Sequence, residues 1–206
     1  MRSTPRLPTE IAGIPVPQDD VASATWRWAN RGLPDYLLTH SVRAYCWGAA
    51  IGERERWSFD EGILWAASLM HDVGLTRIPA NERCFEFEGA EIARRFLLRL
   101  GVAPGRAAAV ATAIALHMAP AVTLADGVEA VLLDRATGLD VRGVDVELVD
   151  AIRPAVMREF PRGAFDRLFV AAIGREVANR SDCQSDRLLN VVGLERSMAR
   201  SPWAQG

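Results

Sequence analysis

The chain has 206 residues, half of them hydrophobic and 24% charged, with a net charge of −2. That is enough apolar material for one large domain with a substantial core, and so small a charge gives no basic field for nucleic acid or an anionic membrane surface. All 24 basic residues are arginines, which excludes chemistry that needs a lysine amine, whether a Schiff base or a Walker A phosphate loop.

Residues 1–18 hold Pro5, Pro8, Pro15 and Pro17 and read as an extended arm, because proline removes donors and resists helix. The arm has no apolar core of the kind a secretory signal carries. From 19 to 206 the pattern is helical almost throughout and reads as a single domain. VASATWRWAN (21–30) is a short helix. Pro34 opens a longer one, DYLLTHSVRAYCWGAAIGE, running to about Glu53. Ser58 with Glu61 forms a capping box for FDEGILWAASLMHD, which ends near Gly74 in a left-handed C-terminal turn. FEGAEIARRFLLRL (87–100) follows, and Pro104 opens a helix that reaches His117.

Residues 123–137 form a further helix, which LDVRG (139–143) interrupts. VDVELVDAIRPAVMREF, RGAFDRLFVAAIGREVANR and a short segment near 185–198 complete the series. With no sustained alternation, the expectation is an all-α fold of about nine helices. No apolar run approaches the roughly 18 residues of a membrane span. Cys46, Cys84 and Cys183 are odd in number and scattered, so they are expected to be unpaired thiols in a reducing cytoplasm.

The three histidines, His40, His71 and His117, all fall in apolar helical segments, and Asp72 follows His71 directly. One such residue is ordinarily a core histidine bonded to a carbonyl. Three, with a carboxylate beside one, suit a divalent ion: imidazole and carboxylate donors fit Zn²⁺, Fe²⁺ or Mn²⁺. Adjacent side chains diverge on a straight helix, but His71 and Asp72 sit where the helix runs out, so both can turn to one ion.

This ordered set resembles the HD-domain superfamily of metal-dependent hydrolases, whose signature is a histidine, a His-Asp doublet and a later aspartate on successive helices. His40, His71-Asp72 and Asp140 match it in order, the doublet 31 residues after His40 and Asp140 another 68 beyond Asp72. HSVRAYCWG, SLMHDVGLT, RCFEFEGAEIARRFL, AIALHMAP and GLDVRG are similar to the blocks of its cyanamide hydratase-like branch, with Cys84 inserted between Arg83 and Phe85. The resemblance covers about residues 34–160.

It implies an HD-type helical bundle around one divalent transition metal, Zn²⁺ foremost, held by His40, His71, Asp72 and Asp140, with Asp134 the alternative last ligand. It implies hydration of a small nitrile, cyanamide to urea, with His117 as substrate contact or proton shuttle and Glu86 assisting. Thr76, Asn81 and Phe85 follow the doublet and Trp47 lies two turns beyond His40, so all four are placed around the substrate. A homodimer face on the C-terminal helices completes the expected partners.

Two rival readings remain. One is an HD phosphohydrolase with Arg43, Arg77 and Arg83 as phosphate clamps; against it, the third position after the doublet is Leu75 where such enzymes resemble H-D-x-x-E. The other is a non-catalytic ligand-binding module, against which the complete ligand set speaks.

Overall fold

Asp19 accepts a hydrogen bond from the Ala22 amide and so starts α1 (Asp20–Gly32), placing one carboxylate on the exposed amides of the first turn. The computed structural model describes residues 5–76, 83–180 and 182–205. Within them ten α-helices occur, with short 3₁₀ turns between them, as the helical periodicity predicts. The extended segment before α1 is not a free arm. Glu10–Ile11 (β1) and Ile14–Pro15 (β2) pair antiparallel, and Ile11, Ile14 and Val16 are buried in the main core. Trp26 and Tyr45 donate to the carbonyls of Pro5 and Pro15, anchoring the segment at both ends.

α2 (Asp35–Glu55) is the axis of the molecule, and residues 40–49 are buried almost all round. A helix apolar on every side belongs inside a bundle. α3 (Glu61–Met70), α6 (Val128–Arg142) and α8 (Phe165–Asn179) pack against it. α4 (Phe85–Arg99) and α5 (Pro104–Leu116) pack on each other and on α3 through an alanine-rich second cluster that includes Ala66, Ala67, Ala93 and Ala113. Small side chains there let the helices approach closely, whereas the main core is filled by Trp47, Trp65, Tyr45 and Phe165.

α7 (Arg153–Glu159), α9 (Gln184–Asp186), one π turn over 187–191 and α10 (Leu194–Ala199) close the C-terminal side. Among the described residues, no helix is long and apolar enough to cross a membrane.

Several boundaries differ from the sequence reading. Asp60, not Ser58, caps α3, its side chain accepting from the Ile63 amide; both residues suit a cap, and Asp60 lies directly before the apolar run. LDVRG does not interrupt a helix: α6 runs through it and stops at Gly143, which takes the left-handed conformation at φ 71°. Gly74 is needed for a different reason than predicted. It lies in a 3₁₀ turn over Val73–Thr76, and a Cβ there would come within 2.1 Å of the Phe85 carbonyl oxygen.

The cysteine expectation is also corrected. Cys84, just before α4, and Cys183, just before α9, form a disulfide across 99 residues of sequence, leaving Cys46 as the buried free thiol. A pairing between segments so far apart arises from the fold and has no local spacing signal.

Candidate metal centre

Three helices deliver the histidines, by two different devices. His71 is the C-terminal cap of α3 and His117 that of α5. The last carbonyls of a helix lack intrahelical partners, and each histidine uses one: the Nδ1 of His71 lies 2.8 Å from the Ser68 carbonyl oxygen, and that of His117 lies 2.5 Å from that of Ile114. A carbonyl only accepts, so each Nδ1 carries the proton and each Nε2 is left with a lone pair pointing past the helix end.

His40 sits mid-helix, where every carbonyl is already engaged, so its Nδ1 turns elsewhere: the Asp140 Oδ2 on α6 lies 2.7 Å away. All three rings therefore present Nε2 as an acceptor.

These acceptors face one another. The Nε2 atoms of His40 and His71 are 3.1 Å apart, and Asp72 Oδ2 lies 3.6 and 3.2 Å from them. The Nε2 of His117 is 3.8 Å from the other Asp72 oxygen. All four side chains are at least 96% buried, and Asp72 Oδ2 has no hydrogen-bond partner.

Two imidazole lone pairs and a carboxylate at these distances repel unless a cation stands between them. Burial raises the Asp72 carboxyl, but the neighbouring histidines, His71 first, pull it down to about 2. Burial opposes protonation of His71, yet Asp72 still raises its pKa. The cluster therefore attracts positive charge. The ligand atoms of His40, His71 and Asp72 lie within 4.8 Å of one another, a set that fits a divalent ion.

Asp140, expected to complete that set, lies behind His40. Its Oδ1 accepts from Arg43 Nε and Trp47 Nε1, both at 2.8 Å, and its Oδ2 from Arg43 Nη2 at 2.8 Å as well as from His40. Four donors saturate the two oxygens. Arg43 and His40 outweigh the burial that would raise this carboxyl and hold it well below the usual carboxylate range. Arg43, read as a phosphate clamp, is thereby committed to Asp140. Phe165 stacks on the His40 ring at 4.7 Å and lies under the guanidinium groups of Arg43 and Arg162, so the second layer of the site is itself rigidly packed.

A cavity of about 390 Å³ opens over His40, His71, Asp72 and His117. Its lining includes Asp134, Thr137, Gly138, Val141 and Arg142 of α6, and Gln184, Arg187, Leu188 and Val192 from the C-terminal segments. Burial holds His117 neutral, its pKa lowered to about 4. Asp134, the alternative last ligand, lines this cavity instead of joining the convergent group, and burial raises it to about 6.

The other expected residues separate. Phe85 is fully buried, with its ring 5.8 Å from that of His117. Trp47 is buried beneath Asp140 and stacks on Trp203. Thr76 donates to the Val73 carbonyl in the turn after the doublet. Glu86 is buried, which raises its pKa, with Glu176 adding to the effect. None of these four is among the cavity-lining residues. Asn81 and Arg77 fall outside the described residues.

Sequence reasoning missed the support role of Arg43, although a signal existed: an arginine inside a run of buried apolar residues needs a partner. It also missed Arg162, whose Nη1 donates to the Asp140 carbonyl; nothing near it in sequence marks that contact.

The sequence model of the HD domain family matches residues 37–153. Two proteins of Saccharomyces cerevisiae, the cyanamide hydratases DDI2 and DDI3, are each 27% identical to the chain over 176 residues, which is 82% of this chain and 78% of theirs.

Proposed function

The chain belongs to the HD domain family, and from that premise we propose that it is a metal-dependent hydratase that adds water to the carbon of a small nitrile, with cyanamide to urea as the reference reaction. One observation carries this reading: the Nε2 atoms of His40 and His71 converge with the Asp72 carboxylate, His117 Nε2 lies beside them, and every Nδ1 is already committed to an acceptor. His40, His71 and Asp72 hold the metal. Zn²⁺ is our choice, since it is satisfied by three protein ligands with a position left open; Fe²⁺ or Mn²⁺ would accept the same donors. When bound, such an ion supplies Lewis acidity and a lowered pKa for water.

The chain itself does the rest. His117 is neutral at neutral pH with its Nε2 unprotonated, so that nitrogen can take a proton from the attacking water and pass it to the nitrile nitrogen. The balance is R–C≡N plus H₂O to R–C(=O)–NH₂: one O–H bond of water breaks as the C–O bond forms and its proton goes to nitrogen, giving the imidic acid R–C(OH)=NH, and the second O–H bond breaks as that proton too moves to nitrogen, leaving the carbonyl and the NH₂ group. Asp140 fixes the tautomer and the plane of His40, a positioning role. Arg43 and Trp47 hold Asp140 in turn.

The 27% identity to enzymes named as cyanamide hydratases supports the same reaction class. Leu75, in place of an acid three residues after the doublet, supports hydration over phosphate-ester cleavage. The test supplies zinc-loaded protein with cyanamide and, separately, with p-nitrophenyl phosphate. Urea from the first and no nitrophenol from the second is the expected result. Nitrophenol without urea overturns the proposal in favour of a phosphohydrolase.

A further inference from the structure

Cyanamide has three heavy atoms and fills at most about 90 Å³, taking roughly 30 Å³ for each as the space of one water, whereas the cavity over the metal centre measures about 390 Å³. The surplus has a chemical character. Arg142, on α6, and Arg187, in the π turn, both line the cavity. Arg135, the third arginine there, is paired with Glu55 and Asp145, but no ion pair among the described residues engages Arg142 or Arg187. Of the three acids on the lining, Asp72 belongs to the metal cluster, Asp145 is paired with Arg135, and Asp134 feels the charge of Arg142 without forming an ion pair with it.

Arg142 is partly buried, and its placement depends on Gly138 one turn earlier: a Cβ at 138 would lie 3.2 Å from Arg142 Nη2. The bare helix surface thus gives the guanidinium room to fold back along α6 toward the cavity, the direction side chains take on a helix. Arg142 and Val192 also line a second opening of about 420 Å³, whose other residues are Arg196, Ser197 and Arg200. The two openings thus share Arg142 and Val192, and among the described residues the outer one is lined by three arginines and no carboxylate.

Resting on the hydration reading above, we propose that the natural substrate is an elongated nitrile with an anionic group, a carboxylate or a phosphate, at the end remote from the reacting carbon, and that Arg142 with Arg187 binds that group. A guanidinium presents paired donors in a plane and matches either oxyanion. The cavity is lined both by the metal cluster and by the two arginines, and its volume of about 390 Å³ has room for such a molecule.

The test compares 4-cyanobutanoate with its neutral methyl ester, and 3-cyanopropyl phosphate as the phosphate arm, using zinc-loaded wild-type protein and the variants Arg142→Gln and Arg142→Lys. Wild type should favour an anionic nitrile over the ester by tenfold or more in kcat/KM. Whichever anionic compound is preferred identifies the head group. Arg142→Gln should bring the ratio close to one through KM, while Arg142→Lys keeps part of it; zinc content and thermal unfolding establish that both variants are folded.

Calorimetric binding of the product amide 4-carbamoylbutanoate gives a readout independent of turnover, and its Kd should rise at least tenfold in Arg142→Gln. Nitrile hydration with no anionic preference and no Arg142-dependent binding overturns this inference and leaves the hydration reading standing. Arg142-dependent binding without hydration of any nitrile upholds the anion site and overturns the hydration reading.

Discussion

Replacing Asp140 by asparagine separates a residue that positions His40 from one that binds the metal, because the two roles predict opposite effects on metal-free protein. Asp140 accepts four hydrogen bonds, from His40, twice from Arg43, and from Trp47, at 2.7–2.8 Å, and both Asp140 and Arg43 are fully buried. Asparagine keeps one oxygen and turns an amide toward donors on the other side. Arg43 is left as a buried cation without its counter-charge, which costs about 3–5 kcal/mol. That is a large share of a total stability of about 5–15 kcal/mol.

At about 3 °C per kcal/mol for a chain of this size, Tm of the metal-free protein should fall by about 10–15 °C. Loosening the His40 ring should separately weaken zinc binding about 10- to 100-fold. Thermal and urea unfolding of metal-free protein, with chelator competition for zinc affinity, measure the two effects. If Asp140 served only as a ligand and its bonds to Arg43 and Trp47 carried no weight, the substitution would leave metal-free protein equally or more stable. That result, combined with complete loss of zinc, would refute the positioning role.

Other consequences are independent of Asp140. His117→Ala should keep zinc at the wild-type stoichiometry while kcat for cyanamide falls by about 10²- to 10⁴-fold; loss of zinc would make His117 a ligand. The Asp134 carboxyl, raised by burial to about 6 in the folded protein against about 3.9 unfolded, disfavours its ionised form, so its contribution to stability declines as pH rises from about 4 through about 6. Asp134→Asn should therefore raise the stability of metal-free protein above pH 6, by about 1 kcal/mol once its partial exposure to solvent is allowed for, and leave it unchanged near pH 3.5. An equal effect at both pH values would contradict that assignment. The Cys84–Cys183 bond closes a 99-residue separation, so Cys84→Ala should cost about 2–4 kcal/mol against oxidised wild type and nothing against wild type in excess dithiothreitol.

The helices were legible because their signals are local. Asp19 and Pro34 mark starts, and the apolar spacing of α2 through α8 sets the faces. The group that could hold a metal was legible for a related reason: His71 and Asp72 adjoin at a helix end, and His40 stands out within an apolar run. What lay out of reach depends on contacts between distant segments. Asp140 has an aspartate's chemistry whether it binds an ion or an arginine, and only the fold brings Arg43, 97 residues away, and Trp47, 93 away, onto its oxygens. The disulfide is of the same kind, as is the placement of Arg142 on the cavity lining beside Gly138.

The account stands most directly on one experiment: incubating ¹³C-labelled cyanamide with wild-type protein reconstituted with one equivalent of Zn²⁺, beside His71→Ala treated identically, and following the carbon by NMR. The account predicts conversion of the cyanamide resonance to that of urea by wild type alone, with His71→Ala folded but metal-free. Urea formed equally by His71→Ala, or no conversion by fully loaded wild type, would contradict it.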